Sequence, residues 1–532
     1  MRYCLKSFTA ITVAACVIYS AGRAHGEVVS TNSTLTPVLQ LLNLMLDKGI
    51  ITEGEASKFQ SQVAASQTNA AEQLPPTQWK MSDAIKNFEI FGDVHLRYED
   101  RSAIAPGGGS LNLKRFRYSV RLGVRGEAFD DFYYGLRLET ASSPRSSYVT
   151  MGSSSPGPYG KSAAGVAIGR AYLGWNPEPW FDFTVGKMPN PLYTTTMVWS
   201  PNINPEGLAE RFKYTIGQAD FFATFGQFVY QDENPVSASP GLDNALSLGQ
   251  TVDNIFQVAW QGGFTYHVTT NFSAKIAATV YQYFGLKQSS QTDPTGTSPY
   301  YGDPFVGEGA YPQAGVASGN SGYSTSSTPY GEAGNYSLNY PNNQVGLNDL
   351  LVLEVPFELT YKFKKIDARI FGDVAYNFQG QQRAEAAAAG YQVYLNNLGI
   401  TPAPTAFAPQ TGENKAYQIG MAVASTGGIG LVDDSTFKKH AWELRTYWQH
   451  VEQYSLDPNL VDLNFFAADL NLQGIYIAGA YGFTDNLIGS VRYGHASRIN
   501  DLLGTGGTST DIPQINPISD FDLFQVDLSF RF

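Results

Sequence analysis

From Phe88 to Phe532, apolar and polar residues alternate with a period of two along most of the chain. The segment 521–532, FDLFQVDLSFRF, is the clearest case. Phe524, Val526, Leu528, Phe530 and Phe532 share one face, and Leu523, Gln525, Asp527, Ser529 and Arg531 the other, because successive side chains of a strand point to opposite sides. Sixteen such strands are predicted, near 88–99, 115–127, 131–142, 165–176, 179–187, 209–216, 219–230, 254–266, 271–284, 350–363, 366–378, 415–425, 438–451, 472–483, 486–498 and 521–532. Most are close to the ~9–11 residues that a tilted membrane strand needs.

The connections alternate in length. Long ones fall at 100–114, 143–164, 188–208, 231–253, 285–349, 379–414, 452–471 and 499–520. Between them lie the tight Ala128-Phe129-Asp130, Pro177-Glu178, Gly217-Gln218, His267 to Thr270, Lys364-Lys365 and Thr484-Asp485, with 426–437 intermediate. Long loops on one rim and short turns on the other mark a membrane barrel; Greek-key sandwiches do not alternate so regularly. An almost wholly apolar last strand is a hazard on an open sheet, whereas a closed barrel pairs it and gives its apolar face to lipid. The predicted fold is all-β, a transmembrane antiparallel β-barrel of about 16 strands (range about 14–18), preceded by a short N-terminal helical segment.

That segment is read from 35–64, where Leu35, Val38, Leu39, Leu42, Met45 and Leu46 recur at helical spacing, Gly49 can end a helix, and Thr52 with Glu55 forms a capping box for a second. It is a trimerisation or cell-wall-tethering element, or an amphipathic piece packed on the barrel mouth. Ahead of it, residues 1–26 combine Arg2 and Lys6, an apolar stretch and small residues near Gly26, as in a cleaved export signal. Val13-Ala14-Ala15-Cys16 offers a lipoprotein box as the competing reading. The expected organisation is 1–26 signal, 27–64 periplasmic helical segment, 65–86 linker and 87–532 barrel.

Charged positions orient the strands, since an Arg facing lipid at the bilayer midplane costs ~2–4 kcal/mol. Arg115, Arg117, Arg121 and Arg125 alternate with Phe116, Tyr118, Leu122 and Val124, so the arginines point inward. The same rule turns Glu89, Asp93, His95, Arg97 and Glu99 inward, with Arg137, Glu139, Arg211, Lys213, Asp367, Arg369, Asp373, Glu443 and Arg445. An interior with so many charges holds water, or loops that satisfy them.

Composition narrows the alternatives. The chain has 532 residues, 13% aromatic and 15% charged, with 53 Gly. Its two cysteines, Cys4 and Cys16, fall inside the expected signal, leaving no disulfide, thiolate metal site or Cys nucleophile beyond it. Taking the three basic residues of 1–26 from 35 leaves 32 against 47 acids, a net of −15, which argues against nucleic acid as a partner. The six histidines show no metal-type spacing, Gly107-Gly108-Gly109 lacks the Lys-Ser/Thr of a phosphate loop, and Cys-x-x-Cys-His is absent. No Ser/His/acid set can be assembled from the sequence, so neither enzyme, metal nor cofactor is expected.

The ending at Phe532 resembles the C-terminal strand of Gram-negative outer-membrane proteins, whose final Phe belongs to their assembly signal; Phe530 and Phe532 are thus expected to serve barrel closure and assembly. The loop opened by Met188-Pro189-Asn190-Pro191 and ended by Asn202-Ile203-Asn204-Pro205-Glu206-Gly207-Leu208, with a helical stretch like Leu39 to Ala56 before the barrel, resembles the putative porin family, distantly akin to phosphate-selective porins. That resemblance implies a passive outer-membrane diffusion channel for small hydrophilic solutes or ions, with lipid, the barrel assembly machinery and a homotrimer as partners. It also implies an inward third loop, with Asn190, Asn204 and Glu206 at a constriction and Glu206 facing the arginines of 115–125. The row of arginines suggests anion attraction. A plugged barrel serving as adhesin, scaffold or conduit is the alternative.

Overall fold

The computed structural model describes residues 85–106, 108–129, 131–141, 146–152, 165–231, 255–284, 350–385, 409, 411–505 and 518–532. The expected signal, the helical segment, residues 65–84 of the linker and the loop 285–349 lie outside them. Eighteen strand segments form one antiparallel sheet closed on itself. One is a two-residue piece, Val149–Thr150, and two are halves of a single crossing, leaving sixteen barrel strands.

In chain order these are β1 (Glu89–Ile104), β2 (Ser110–Glu127), β3 (Phe132–Ala141), β4 (Gly165–Glu178), β5 (Phe181–Lys187), β6 (Glu206–Ile216), β7 (Ala219–Gln231) and β8 (Ile255–His267). They continue with β9 (Phe272–Phe284), β10 (Leu351–Glu354 and Phe357–Lys362), β11 (Ile366–Asn377), β12 (Lys415–Ser425), β13 (Trp442–Val451), β14 (Leu472–Gly482), β15 (Leu487–Arg498) and β16 (Asp520–Arg531). The break in β10 falls at Val355-Pro356, since proline has no N–H for the ladder; Val355 N still reaches Val374 O at 2.8 Å and Ala277 N reaches Pro356 O at 3.1 Å.

The closing seam pairs β1 with β16, from Asp93 opposite Arg531 to Ile104 opposite Asp520. Phe532 completes it, exchanging two 3.0 Å backbone hydrogen bonds with Gly92. On β16 the expected faces are realised: Phe524, Val526, Leu528 and Phe530 are 40–45% exposed outward, while Gln525, Asp527 and Ser529 are at most 3% exposed inward.

Several boundaries shift by a few residues, and two of the shifts bear on the lumen. The long loop foreseen at 100–114 is only a turn at 105–109, because β1 and β2 stay paired up to Ile104 opposite Ser110. Beyond the lipid, outward positions no longer need to be apolar, so Asp100, Ser102, Asn112 and Lys114 conceal the continuing strands. The second difference is β6, which begins at Glu206 rather than 209.

A packed core sits inside the barrel. The connections 188–205 and 452–471 fold inward from the long-loop rim and meet where Ser200 N donates to Leu460 O at 2.6 Å. Met197, Trp199, Leu456, Leu460, Phe465 and Phe466 are buried there with the wall residues Phe228, Tyr281, Tyr447 and Tyr476. The Trp199 ring lies 6.1 Å from Phe228 and 6.3 Å from Tyr281. Phe466, Ala467 and Ala468 all have positive φ of 59–65°, a conformation costly for residues with a Cβ. Close packing of Phe465 against Phe466, Tyr447 and Tyr476 holds the chain in it.

Candidate pore lining and constriction

In the long-loop half of the seam, the inward charges knit together. Arg115, Arg101 and Arg117 converge on the buried Glu99, and Arg97 and Arg492 on Asp527. Loop 452–471 covers this cluster: Asn464 Oδ1 accepts from Arg97 at 2.9 Å and Leu463 O accepts from Arg101 at 3.0 Å. On its other side Arg117 donates to Tyr148 O at 2.6 Å, and the Arg97 guanidinium stacks 4.0 Å over the Tyr148 ring. Arg97 and Arg117 are 7% and 3% exposed. The structure thus corrects the expectation that they line water: the folded-in loop and the 146–150 segment wall them off, and they serve as fasteners.

Most inward charges in the short-turn half keep some exposure, but Arg137, at 7%, is as buried as Arg97 and, against expectation, does not line water either. Arg121 donates to Asp93 at 2.6 Å and contacts His95 at 2.7 Å, while Arg125 pairs with Glu89. Arg137 pairs with Glu139 at 2.8 Å and Arg211 with Asp182 at 2.5 Å, with Tyr133 bridging to Asp182. Lys213 is exposed. Across the lumen Arg369 faces Glu358 at 3.7 Å, and Lys275 lies 3.6 Å over the Tyr193 ring. Arg170, opposite Arg137 at a bulge in the β3–β4 register, was missed in the sequence because that bulge interrupts the period of two.

The loop 188–205 is fixed by both ends and by its middle. Asn190 Oδ1 accepts from Leu192 N at 3.0 Å, an Asx turn. Asn204 Oδ1 accepts from Arg170 Nε at 2.9 Å. In between, Tyr193 exchanges backbone hydrogen bonds with the Gln261 side chain. Thr194 donates to Glu354 and Thr195 to Asp373, both at 2.5 Å. Asp373 is fully buried, so this expected lining residue anchors the loop to β11 instead of meeting water.

Glu206 also departs from expectation. It stands opposite Lys187 in the β5–β6 register and pairs with it at 2.5 Å, away from the β2 arginines. Its parity explains this: it shares the outward side of β6 with Phe212 and Tyr214, 41% and 67% exposed.

Residues 108–532 match the family described as "Putative porin". The chain belongs to that family. It is a porin, a passive diffusion channel of the Gram-negative outer membrane, from a channel family rather than an enzyme family. Among solved structures it is similar to an anion-selective porin from Comamonas acidovorans, at 8% identity over 84% of this chain and 99% of that one, TM-score 0.41. It is also similar to OpdQ of Pseudomonas aeruginosa, at 11% over 85% and 99%, TM-score 0.35. A third is OmpF of Salmonella typhi in complex with daunomycin, at 8% over 85% and 99%, TM-score 0.39. No curated protein matches.

Sequence reasoning also missed a Ser/His/Asp contact in the porin: Ser529 Oγ lies 2.9 Å from His95 Nδ1, and His95 Nε2 lies 2.8 Å from Asp93. Ser529 is 1% exposed and His95 3%, and Arg121 occupies the same ring nitrogen as Asp93. The group ties β1, β2 and β16 together. Only the closing of the barrel brings positions 95 and 529 to one place. Arg445 sits between Glu443 at 2.7 Å and Asp433 at 3.1 Å, and Asp433 comes from the connection between β12 and β13.

Proposed function

We propose that solutes cross the porin along the wall of β2 to β6, lined by Arg121, Arg125, Glu139, Arg170, Arg211 and Lys213 and faced by Arg369, and that the loop 188–205 narrows this path beside Arg170, which Asn204 holds in place. The path favours small hydrophilic anions. One observation carries the reading: Asp93, Glu139, Asp182 and Glu89 each pair with an arginine of this wall, whereas Arg170 bonds the neutral amide of Asn204. A guanidinium held by an amide keeps its full charge available to a passing anion.

The reading is tested with Arg170→Gln, which keeps a hydrogen-bond donor for Asn204 and removes the charge. In planar bilayers under a KCl gradient, the anion-to-cation permeability ratio falls by roughly twofold, the size expected for a unit charge ~8–10 Å from the ion in water once salt screens the interaction by about half. An unchanged ratio with normal channel steps sinks the assignment. The same reading takes the outer face to meet lipid and neighbouring copies in a homotrimer. Residues 1–26 act as export signal, 27–64 as a periplasmic helical segment, and the strand end at Phe530 and Phe532 is what the barrel assembly machinery engages.

A further inference from the structure

The outward face of the barrel is not equally apolar all the way round. On β1 the outward positions run from Ile90 to Tyr98 before the first charged one, Asp100, and on β16 from Phe532 to Phe524 before Asp522. Each outward step adds ~5 Å of height in a strand tilted by ~40°, so the five positions on each of these strands span the ~25 Å of a lipid-facing band. β5 and β6 fall short of that. On β5 only Phe181, Phe183 and Val185 precede Lys187, and on β6 only Ile216, Tyr214 and Phe212 precede Glu210. Three positions cover ~15 Å, which leaves the upper part of the band to Glu210, Leu208 and the Lys187–Glu206 pair.

Lys187 and Glu206 answer each other, but Glu210 has no such partner. It stands between Phe183 of β5 and Phe225 of β7 in the ladder. Among the described residues no cation pairs with it, and its Oε2 has no hydrogen-bond partner. Gln227, the next outward residue above Phe225 on β7, adds an amide to the same patch. Below Glu210 the outer face is hollow. Ala223 and Gly262 stand opposite one another and leave a depression of about 540 Å³ between Phe212, Tyr214, Phe221 and Trp180. A Cβ on Gly262 would meet nothing within 4 Å. An acyl chain can fill this hollow, yet it offers no donor to the carboxyl above, and an acid facing hydrocarbon is costly. A protein surface can bring both an apolar side chain and a donor.

We infer that the outer wall of β5 to β7 is the surface on which a second copy of this chain docks, with an apolar side chain seated in the hollow at Ala223 and Gly262 and a donor meeting Glu210. The inference rests on the homotrimer reading above and adds where the copies touch. A copy is the fitting occupant because every copy carries this narrow band at one depth in one membrane, and a rotation about the membrane normal closes such a contact into a ring. The narrow walls are then withdrawn from lipid. The full bands of strands such as β1 and β16 remain to meet it.

The test uses the full-length porin in outer membranes and in mild detergent. Benzoylphenylalanine in place of Phe183 or Phe225 photo-crosslinks one copy to another, while in place of Ile477, 43% exposed on β14 across the barrel, it yields lipid adducts alone. In Glu210→Leu the ratio of oligomer to monomer in unheated gels falls by roughly tenfold, as for the loss of one hydrogen bond to a charged group, and the monomer keeps its heat-dependent mobility. Glu210→Gln, which still accepts a hydrogen bond, restores most of the oligomer. A lipid-covered face gives the opposite sign: Glu210→Leu leaves the oligomer intact and raises heat stability, and that result overturns the proposal. Adducts at positions 183 and 225 with lipid alone, or with a different protein, overturn it too. A wild-type porin that is monomeric throughout removes the homotrimer reading as well, whereas oligomers crosslinked only through other walls remove this docking surface and leave that reading standing.

Discussion

Gly494 lies inward on β15, and a Cβ there would stand 2.6 Å from the Phe465 ring. That ring is buried between Tyr447 and Tyr476 and has no room to swing. Gly494→Ala is expected to cost about 1–3 kcal/mol of packing, concentrated on the 452–471 loop, because the strand is held by its ladder and the loop is not. Limited proteolysis checks it: cleavage within 452–471 appears in the variant while the barrel keeps its heat-dependent gel mobility. Single-residue reading from sequence succeeded where parity alone decides, as at Gln525 and Asp527, which point inward as expected. It failed at Glu206, where a boundary misplaced by three residues concealed that this acid pairs outward with Lys187.

Among elements, the strands were legible and the inserted connections were not. A strand advertises itself through a period of two, whereas a loop that folds inward looks like any polar connection until its few apolar residues find a wall. Leu431 and Val432, preceded by glycines, were the available signal for 426–441. In 452–471 the signal was Leu456, Leu460, Phe465 and Phe466. That second loop also carries Asp457 and Asp462, whose carboxyls burial pushes above the ordinary aspartate range. Tyr283 donates to Asp457 at 2.8 Å, and Phe465 N to Asp462 at 3.2 Å.

A carboxyl raised in the folded loop binds its proton more tightly there than in the released loop. The loop's stability is therefore greatest below the free aspartate value of ~3.9 and declines as pH rises from there through the raised value. Amide exchange within 452–471, corrected for intrinsic rate, is expected to show more protection at pH 5 than at pH 8. Equal protection would mean that the two acids are already charged in place.

At the scale of the whole molecule, the barrel divides into a padded side and an open side. Loop 452–471 and the segment 426–441 both lie against the inner surface around β15, β16 and β1, the loop 188–205 is held to β8, β10 and β11, and the path proposed along β2 to β6 takes the remaining wall. Closure itself was foreseeable, because the even strand number and the apolar face of β16 require a partner for both edges. What fills the bore was not, since it depends on contacts such as Arg97 with Asn464, 367 residues apart.

The seam has one more consequence. Gly92 and Phe532 already exchange backbone hydrogen bonds, so joining the two ends there with a short linker adds little strain. Opening the chain instead at Gly217-Gln218 makes a circular permutant in which β16 and β1 become neighbours in sequence. Loop-closure entropy then no longer opposes their pairing, and the contact between Ser529 and His95 forms within one local hairpin. Such a permutant is expected to refold faster in detergent than the natural order while conducting equally. The difference between the two rates would measure how much of barrel formation waits for the first and last strands to find each other.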